Sequence, residues 1–188
     1  MRVLNCDKQP DQPLPQQDDY DYRKEEEALV EVDVEHLIEC LGVDRNTSYK
    51  IIERPDVKER QSAQPDYLIE DCTTGKLITI EYARFFESEE SRKQKVYQFK
   101  KLNRILYPIH FPTPDELGER LSGFVFEKLN KGQFKNFSHT ERILLARNRW
   151  GGLGLRHFVK AEPCLKLQKP LDCAHFYLIV EQKLLEVF

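Results

Sequence analysis

The sequence predicts a single α/β domain with a central mixed β-sheet and helices on both faces. Three observations carry this expectation. Helical and strand patterns alternate along the chain, a β-hairpin lies ahead of its midpoint, and one short segment, Arg142-Ile143-Leu144-Leu145-Ala146, is apolar almost throughout. A strand with apolar residues at successive positions has no polar face to give to water, so it belongs in a sheet covered on both sides. The length of 188 residues suits one such domain with peripheral segments.

Residues 1–22 are rich in Pro, Gln and Asp and read as an irregular arm docked by Val3 and Leu4; the α/β domain then spans 23–188. Asp18, Asp19 and Asp21 alternate with Tyr20 and Tyr22, a pattern that suits a protein partner, with a solvated tail as the alternative. From Lys24 to Leu41 the spacing is helical, with Val30, Val34, Leu37, Ile38 and Leu41 in one stripe and Gly42 as the stop. Glu27 and Glu31 lie beside that stripe. Tyr49 to Arg54 reads as a strand that stops at Pro55.

The hairpin comes next, in Asp66-Tyr67-Leu68-Ile69-Glu70-Asp71 and Lys76-Leu77-Ile78-Thr79-Ile80-Glu81, around a Cys72 to Gly75 loop. With that loop Ile69 opposes Ile78 and Tyr67 opposes Ile80, which makes one apolar face. On the other face Leu68 opposes Thr79, and Asp66 opposes Glu81. Two carboxylates at the open end of a hairpin repel unless a partner compensates them, and a divalent cation is one such partner. The alternative is a solvated hairpin mouth.

Beyond the hairpin, Ser88 caps a helix running to about Leu106, with Val96, Phe99, Leu102 and Leu106 inward. Lys93, Tyr97, Lys100 and Arg104 form a basic strip suited to nucleic-acid phosphates, or simply a solvated face. Thr113-Pro114-Asp115-Glu116 is a strong helix start, and Leu117, Leu121, Phe124, Val125 and Leu129 form the buried stripe of a helix ending near Gly132. After the apolar strand, Arg147 to Gly154 has the look of a phosphate loop but matches neither glycine-rich phosphate motif, so it reads as a flexible turn, with a phosphate contact through Arg147 or Arg149 as the lesser alternative. Phe176 to Glu181 and Leu184 to Phe188 close the chain as two strands around a Gln182-Lys183 turn.

Apolar residues make up 40% of the chain and charged residues 32%, and the net charge is −3, so any nucleic-acid surface is local. No apolar run is long enough to cross a bilayer and no signal-peptide pattern opens the chain, which predicts a soluble, cytoplasmic protein. Five cysteines without paired spacing argue against a disulfide framework, and His157, Cys164, Cys173 and His175 do not have the spacing of a zinc site.

This order of elements resembles the PD-(D/E)XK nuclease superfamily, the restriction-endonuclease-like fold shared by restriction enzymes, resolvases and recombination nucleases. The resemblance is carried by Pro65-Asp66 at a strand start, by Glu81 in Ile80-Glu81-Tyr82-Ala83, by the acidic helix before them and by the basic helix after them. It covers Arg23 to Leu106, with the Ile143 to Ala146 strand extending the sheet. It implies that Asp66 and Glu81 hold Mg²⁺ or Mn²⁺, with Glu31 (or Glu27) as the helical acid. The family's lysine, two residues after the glutamate, is replaced by Ala83. Some members take this cation from the following helix, where Lys95 is suited; Arg84 points to the face opposite Ala83 and is a poorer substitute. The implied activity is metal-dependent endonuclease cleavage of DNA or RNA, with Lys93, Lys100 and Arg104 on the backbone and a homodimer for cutting two strands. The alternative is a non-catalytic module of the same fold that binds nucleic acid or protein.

Overall fold

A computed structural model describes residues 1–4, 22–54, 65–86, 111–129, 141–166 and 174–188. The elements, in order, are β1 (Arg2–Leu4), α1 (Tyr22–Arg45), β2 (Tyr49–Glu53), β3 (Tyr67–Asp71), β4 (Leu77–Phe85), α2 (Pro114–Leu129), β5 (Glu141–Asn148), α3 (Leu155–Ala161), β6 (Ala174–Val180) and β7 (Lys183–Glu186). A 3₁₀ turn at Glu162–Cys164 follows α3. The strands form one sheet in the order β1-β7-β6-β5-β4-β3-β2. β4, β5 and β6 run parallel, and the remaining pairings are antiparallel. The expected α/β architecture with a mixed sheet between helices is therefore present.

β5 explains the layering. Ile143 and Leu145 point into a core with Val34, Leu37 and Leu41 of α1. Leu144 and Ala146 point into a second core with Leu117, Leu121 and Val125 of α2 and Phe158 of α3. Successive side chains of a strand alternate between faces, so an uninterrupted apolar run needs a helix on each side.

The β3–β4 hairpin adopts the expected register, with Tyr67 opposite Ile80, Leu68 opposite Thr79 and Ile69 opposite Ile78. Its loop is closed by bonds from the Asp71 N–H to the Lys76 carbonyl (2.9 Å) and from the Gly75 N–H to the Asp71 carbonyl (2.8 Å). Gly75 has a φ of 70°, the left-handed conformation this turn requires. One Asp71 oxygen accepts the Thr47 hydroxyl (2.7 Å) and the N–H groups of Thr73 (2.8 Å) and Thr74 (3.2 Å).

At the amino end of β5, the buried Glu141 takes Arg45 Nη1 at 2.7 Å and Lys76 Nζ at 2.8 Å, with His175 Nε2 at 3.7 Å. Burial works to raise its pKa, but the hydrogen bonds from Lys76 and Arg45 outweigh it and hold the carboxyl below its ordinary range. Arg2 bonds to both oxygens of Asp44 and to Glu186, tying edge strand β1 to α1 and β7.

Several boundaries differ from expectation. Helix α1 continues past Gly42 to Arg45, and Asn46 takes the left-handed position (φ 51°) while the Thr47 N–H returns to the Gly42 carbonyl (3.0 Å). Gly42 is needed for this close return, since a Cβ there would lie 2.9 Å from the Thr47 oxygen. The last turn is Glu181-Gln182, one residue earlier than expected; both have positive φ (50° and 64°), as a two-residue hairpin turn demands. Arg2–Leu4 pair with β7 as a strand, whereas the rest of the arm to Asp21 lies outside the described residues. Cys40 is buried and disulfide-bonded, and Cys72 and Cys164 are free. Among the described residues no helix is long and apolar enough to cross a membrane.

Two outcomes follow. The Thr113 N–H donates to Glu116 Oε2 (2.7 Å) and the Glu116 N–H to Thr113 Oγ1 (3.2 Å), a reciprocal cap on α2. Thr113→Ala should cost about 1 kcal/mol in denaturant unfolding. The Thr47 hydroxyl and the loop N–H groups hold the Asp71 carboxyl at about 2, below its usual 3.8. A depressed carboxylate stabilises the fold above its unfolded pKa and loses that effect as pH falls through the folded one. The stability gap between wild type and Asp71→Asn should therefore be full above pH 3.8 and close as pH falls through about 2. A gap independent of pH would contradict this.

Candidate functional site

Pro65 is buried at the entry to β3, and Asp66 follows it one residue before the strand begins. The main-chain register ends at Tyr67 opposite Ile80, and one more step places Asp66 alongside Glu81. Instead of continuing the main-chain ladder, the Asp66 side chain takes it over. Its Oδ2 accepts the N–H of Tyr82 at 2.6 Å, a short contact of the charge-assisted kind. Asp66 is half-buried, and Glu81, next to Tyr82 in sequence, is 6% exposed with its Oε2 sealed from solvent.

The alternation of β4 fixes the faces. Ile78 and Ile80 belong to the α1-side core, and Ala83 and Phe85 to the α2/α3-side core. Glu81 shares the face of Ala83 and Phe85. Ala83, where the resemblance leads one to expect a lysine, is 5% exposed and packed in the core. No cation can be presented from there. Arg84 is half-buried on the alternate face.

Glu31 is not gathered with this pair. Its carboxylate is on the surface of α1, 2.5 Å from Arg54 Nη1, and the Arg54 guanidinium lies over the Tyr67 ring, 5.3 Å from its centroid. Glu27 is also exposed. Among the described residues no three His, Cys, Asp or Glu side chains are grouped closely enough to hold a metal ion. Lys95, and with it Lys93, Lys100 and Arg104, lie outside the described residues.

A buried polar cluster on the α1 side escaped the sequence reading. Asp33, 1% exposed, accepts the Tyr82 hydroxyl at 2.7 Å and Arg147 Nε at 2.5 Å on Oδ2, and Arg147 Nη2 on Oδ1. This fork is a bidentate arginine–carboxylate pair. Burial, then the Asp33 charge, push the Tyr82 hydroxyl well above its ordinary range, so it remains a donor. His36, one turn along α1, is held below its ordinary range by burial, which outweighs the opposing pull of Asp33 and Glu39. The signal in the sequence was an acid, Asp33, inside a helical apolar stripe, but its partner is 114 positions away.

The Arg147 to Gly154 segment carries the end of β5 and the turn that follows it. Arg147 is committed to Asp33. The start of α3, a helix the sequence did not reveal, is occupied by Glu181, whose Oε2 accepts the Leu155 N–H at 3.1 Å. Asn148 fixes the turn by bonding to the Leu153 carbonyl (2.9 Å) and accepting the Trp150 N–H (3.0 Å).

No family model, curated protein or solved structure matches this chain.

Removing the charge of Asp33 leaves a guanidinium enclosed without its counter-ion, which costs far more than an exposed pair. Asp33→Asn should lower stability by about 3–5 kcal/mol in denaturant unfolding. A loss below 1 kcal/mol would mean that the pair bears no weight in the fold.

Proposed function

We propose that the chain is a nuclease-like domain of restriction-endonuclease-like fold, in which Asp66 and Glu81 hold Mg²⁺ or Mn²⁺ at a nucleic-acid phosphodiester. One observation carries this reading. The Asp66 carboxylate is bonded to the N–H of the residue that follows the buried Glu81, so two acids share the mouth of one hairpin. The donor set fits the ion, because Mg²⁺ commonly takes one or two carboxylates and fills its remaining positions with water and phosphate oxygens. Burial also raises the cost of the Glu81 charge, which a bound cation offsets. When bound, the ion supplies Lewis-acid polarisation of the phosphate and a more acidic water.

The residues of the chain supply position. Asp66 is oriented by its bond to Tyr82, and Glu81 is held in the middle of β4 by its pairing with Leu144 of β5. The cation that Ala83 does not provide is assigned to Lys95, and phosphate contacts to Lys93, Lys100 and Arg104. A second reading, a non-catalytic binding module of the same fold, is favoured by one observation: Ala83 is packed in the core, at the position where the chemistry calls for a lysine.

Cleavage of single- and double-stranded DNA and RNA with Mg²⁺ or Mn²⁺ separates the two. The nuclease reading expects cutting by wild type that falls to background in the Asp66→Ala/Glu81→Ala double variant. No cutting of any substrate, or equal cutting by both proteins, overturns it. Salt-dependent binding that survives both substitutions without cleavage selects the non-catalytic module.

A further inference from the structure

Tyr82 is the β4 residue held from three directions. Its backbone pairs with Leu145 of β5 in the parallel ladder. Its N–H is given to Asp66 at 2.6 Å, and its hydroxyl to Asp33 at 2.7 Å. Asp33 is fixed in turn by the two-pronged grip of Arg147, which enters from the carboxyl half of β5. A continuous chain of hydrogen bonds thus runs from Asp66 through Tyr82 to a buried ion pair between α1 and β5. Glu81 directly precedes Tyr82 and projects to the opposite face. Any rotation of β4 about its axis at Tyr82 would move the Asp66 anchor and redirect the Glu81 carboxylate together.

We propose that Tyr82 is a positioning residue for the two-carboxylate site, fixing Asp66 and aiming Glu81 by tying β4 to the Asp33–Arg147 pair. The inference rests on the reading of Asp66 and Glu81 as metal ligands, to which Tyr82 is an outer support. Groups that orient metal ligands commonly change metal affinity about 10–100-fold when removed. The hydroxyl does not touch a substrate or a metal in this arrangement; it acts through the strand.

Tyr82→Phe deletes the hydroxyl and leaves the Asp33–Arg147 pair intact, so the variant retains its buried charge balance. Thr113→Ala, on the far side of the sheet, serves as a control for simple loss of stability. The full-length proteins are titrated with Mn²⁺ by calorimetry, and backbone hydrogen exchange at position 82 is compared with that at Ile80. The expected result is Mn²⁺ binding weakened about tenfold in Tyr82→Phe and unchanged in Thr113→Ala. Exchange at position 82 relative to Ile80 should rise severalfold in Tyr82→Phe alone. Wild-type affinity in Tyr82→Phe, or an equal loss in both variants, overturns the proposal. If wild type binds no Mn²⁺, the metal-site reading fails and the exchange ratio decides the tie by itself: a ratio that rises only in Tyr82→Phe upholds it, and an unchanged ratio overturns it.

Discussion

The central strip of the sheet, where β5 lies between two parallel neighbours and under helices on both faces, is the constraint on which the rest of the molecule depends. Ile143, Leu144, Leu145 and Ala146 have no side open to water. Burying a large aliphatic side chain contributes about 1.5–3 kcal/mol, so this run alone justifies bringing α1 to one face and α2 with α3 to the other. Parallel neighbours cannot be joined by a tight turn, so the connections must travel over the faces, which is where the covering helices lie.

Polar residues are tolerated at the two ends of this strip only because each is matched. At the amino end, Glu141 gathers Arg45 from α1, Lys76 from the hairpin and His175 from β6. At the carboxyl end, Arg147 is matched by Asp33 and, through it, by Tyr82. Buried pairs of this kind add little net stability over apolar replacements, but they reject arrangements in which either member lacks its partner. The two clusters therefore fix how α1 lies along the sheet. The first bears on the hairpin's closed end and the second on its open mouth, where Asp66 and Glu81 are found.

The local parts of this design were legible in the sequence. Period-two patterning of Tyr67 and Ile69 against Ile78 and Ile80 set the hairpin register, because a one-residue slip would turn every apolar side chain to the wrong face. The Thr113 to Glu116 cap announced α2, and the apolar run announced a strand covered on both faces. Features that depend on distant partners were not legible. Asp33 and Arg147 gain meaning only when α1 crosses β5, and Glu31, equally acidic, turns instead to Arg54 on the surface. Helix α3 is too short for periodicity to reveal, and its start is stabilised by Glu181 from a turn in another part of the chain. Asp66 and Glu81 were found because they share a hairpin, a relation that one short stretch of sequence can encode.

The placement of β5 also dictates an order of assembly during synthesis. Its partner β4 precedes it in the chain, but β6 begins only at Ala174. Until that strand emerges, the apolar run of β5 is an open sheet edge, and the carboxylate of Glu141 lacks the imidazole of His175. An unpaired apolar edge is a template for pairing with another chain. Parallel pairings of this sequence separation also form slowly. The nascent protein is thus most vulnerable to intermolecular association in the interval between completing β5 and completing β6, which makes the arrival of β6 the step that commits the chain to its own fold.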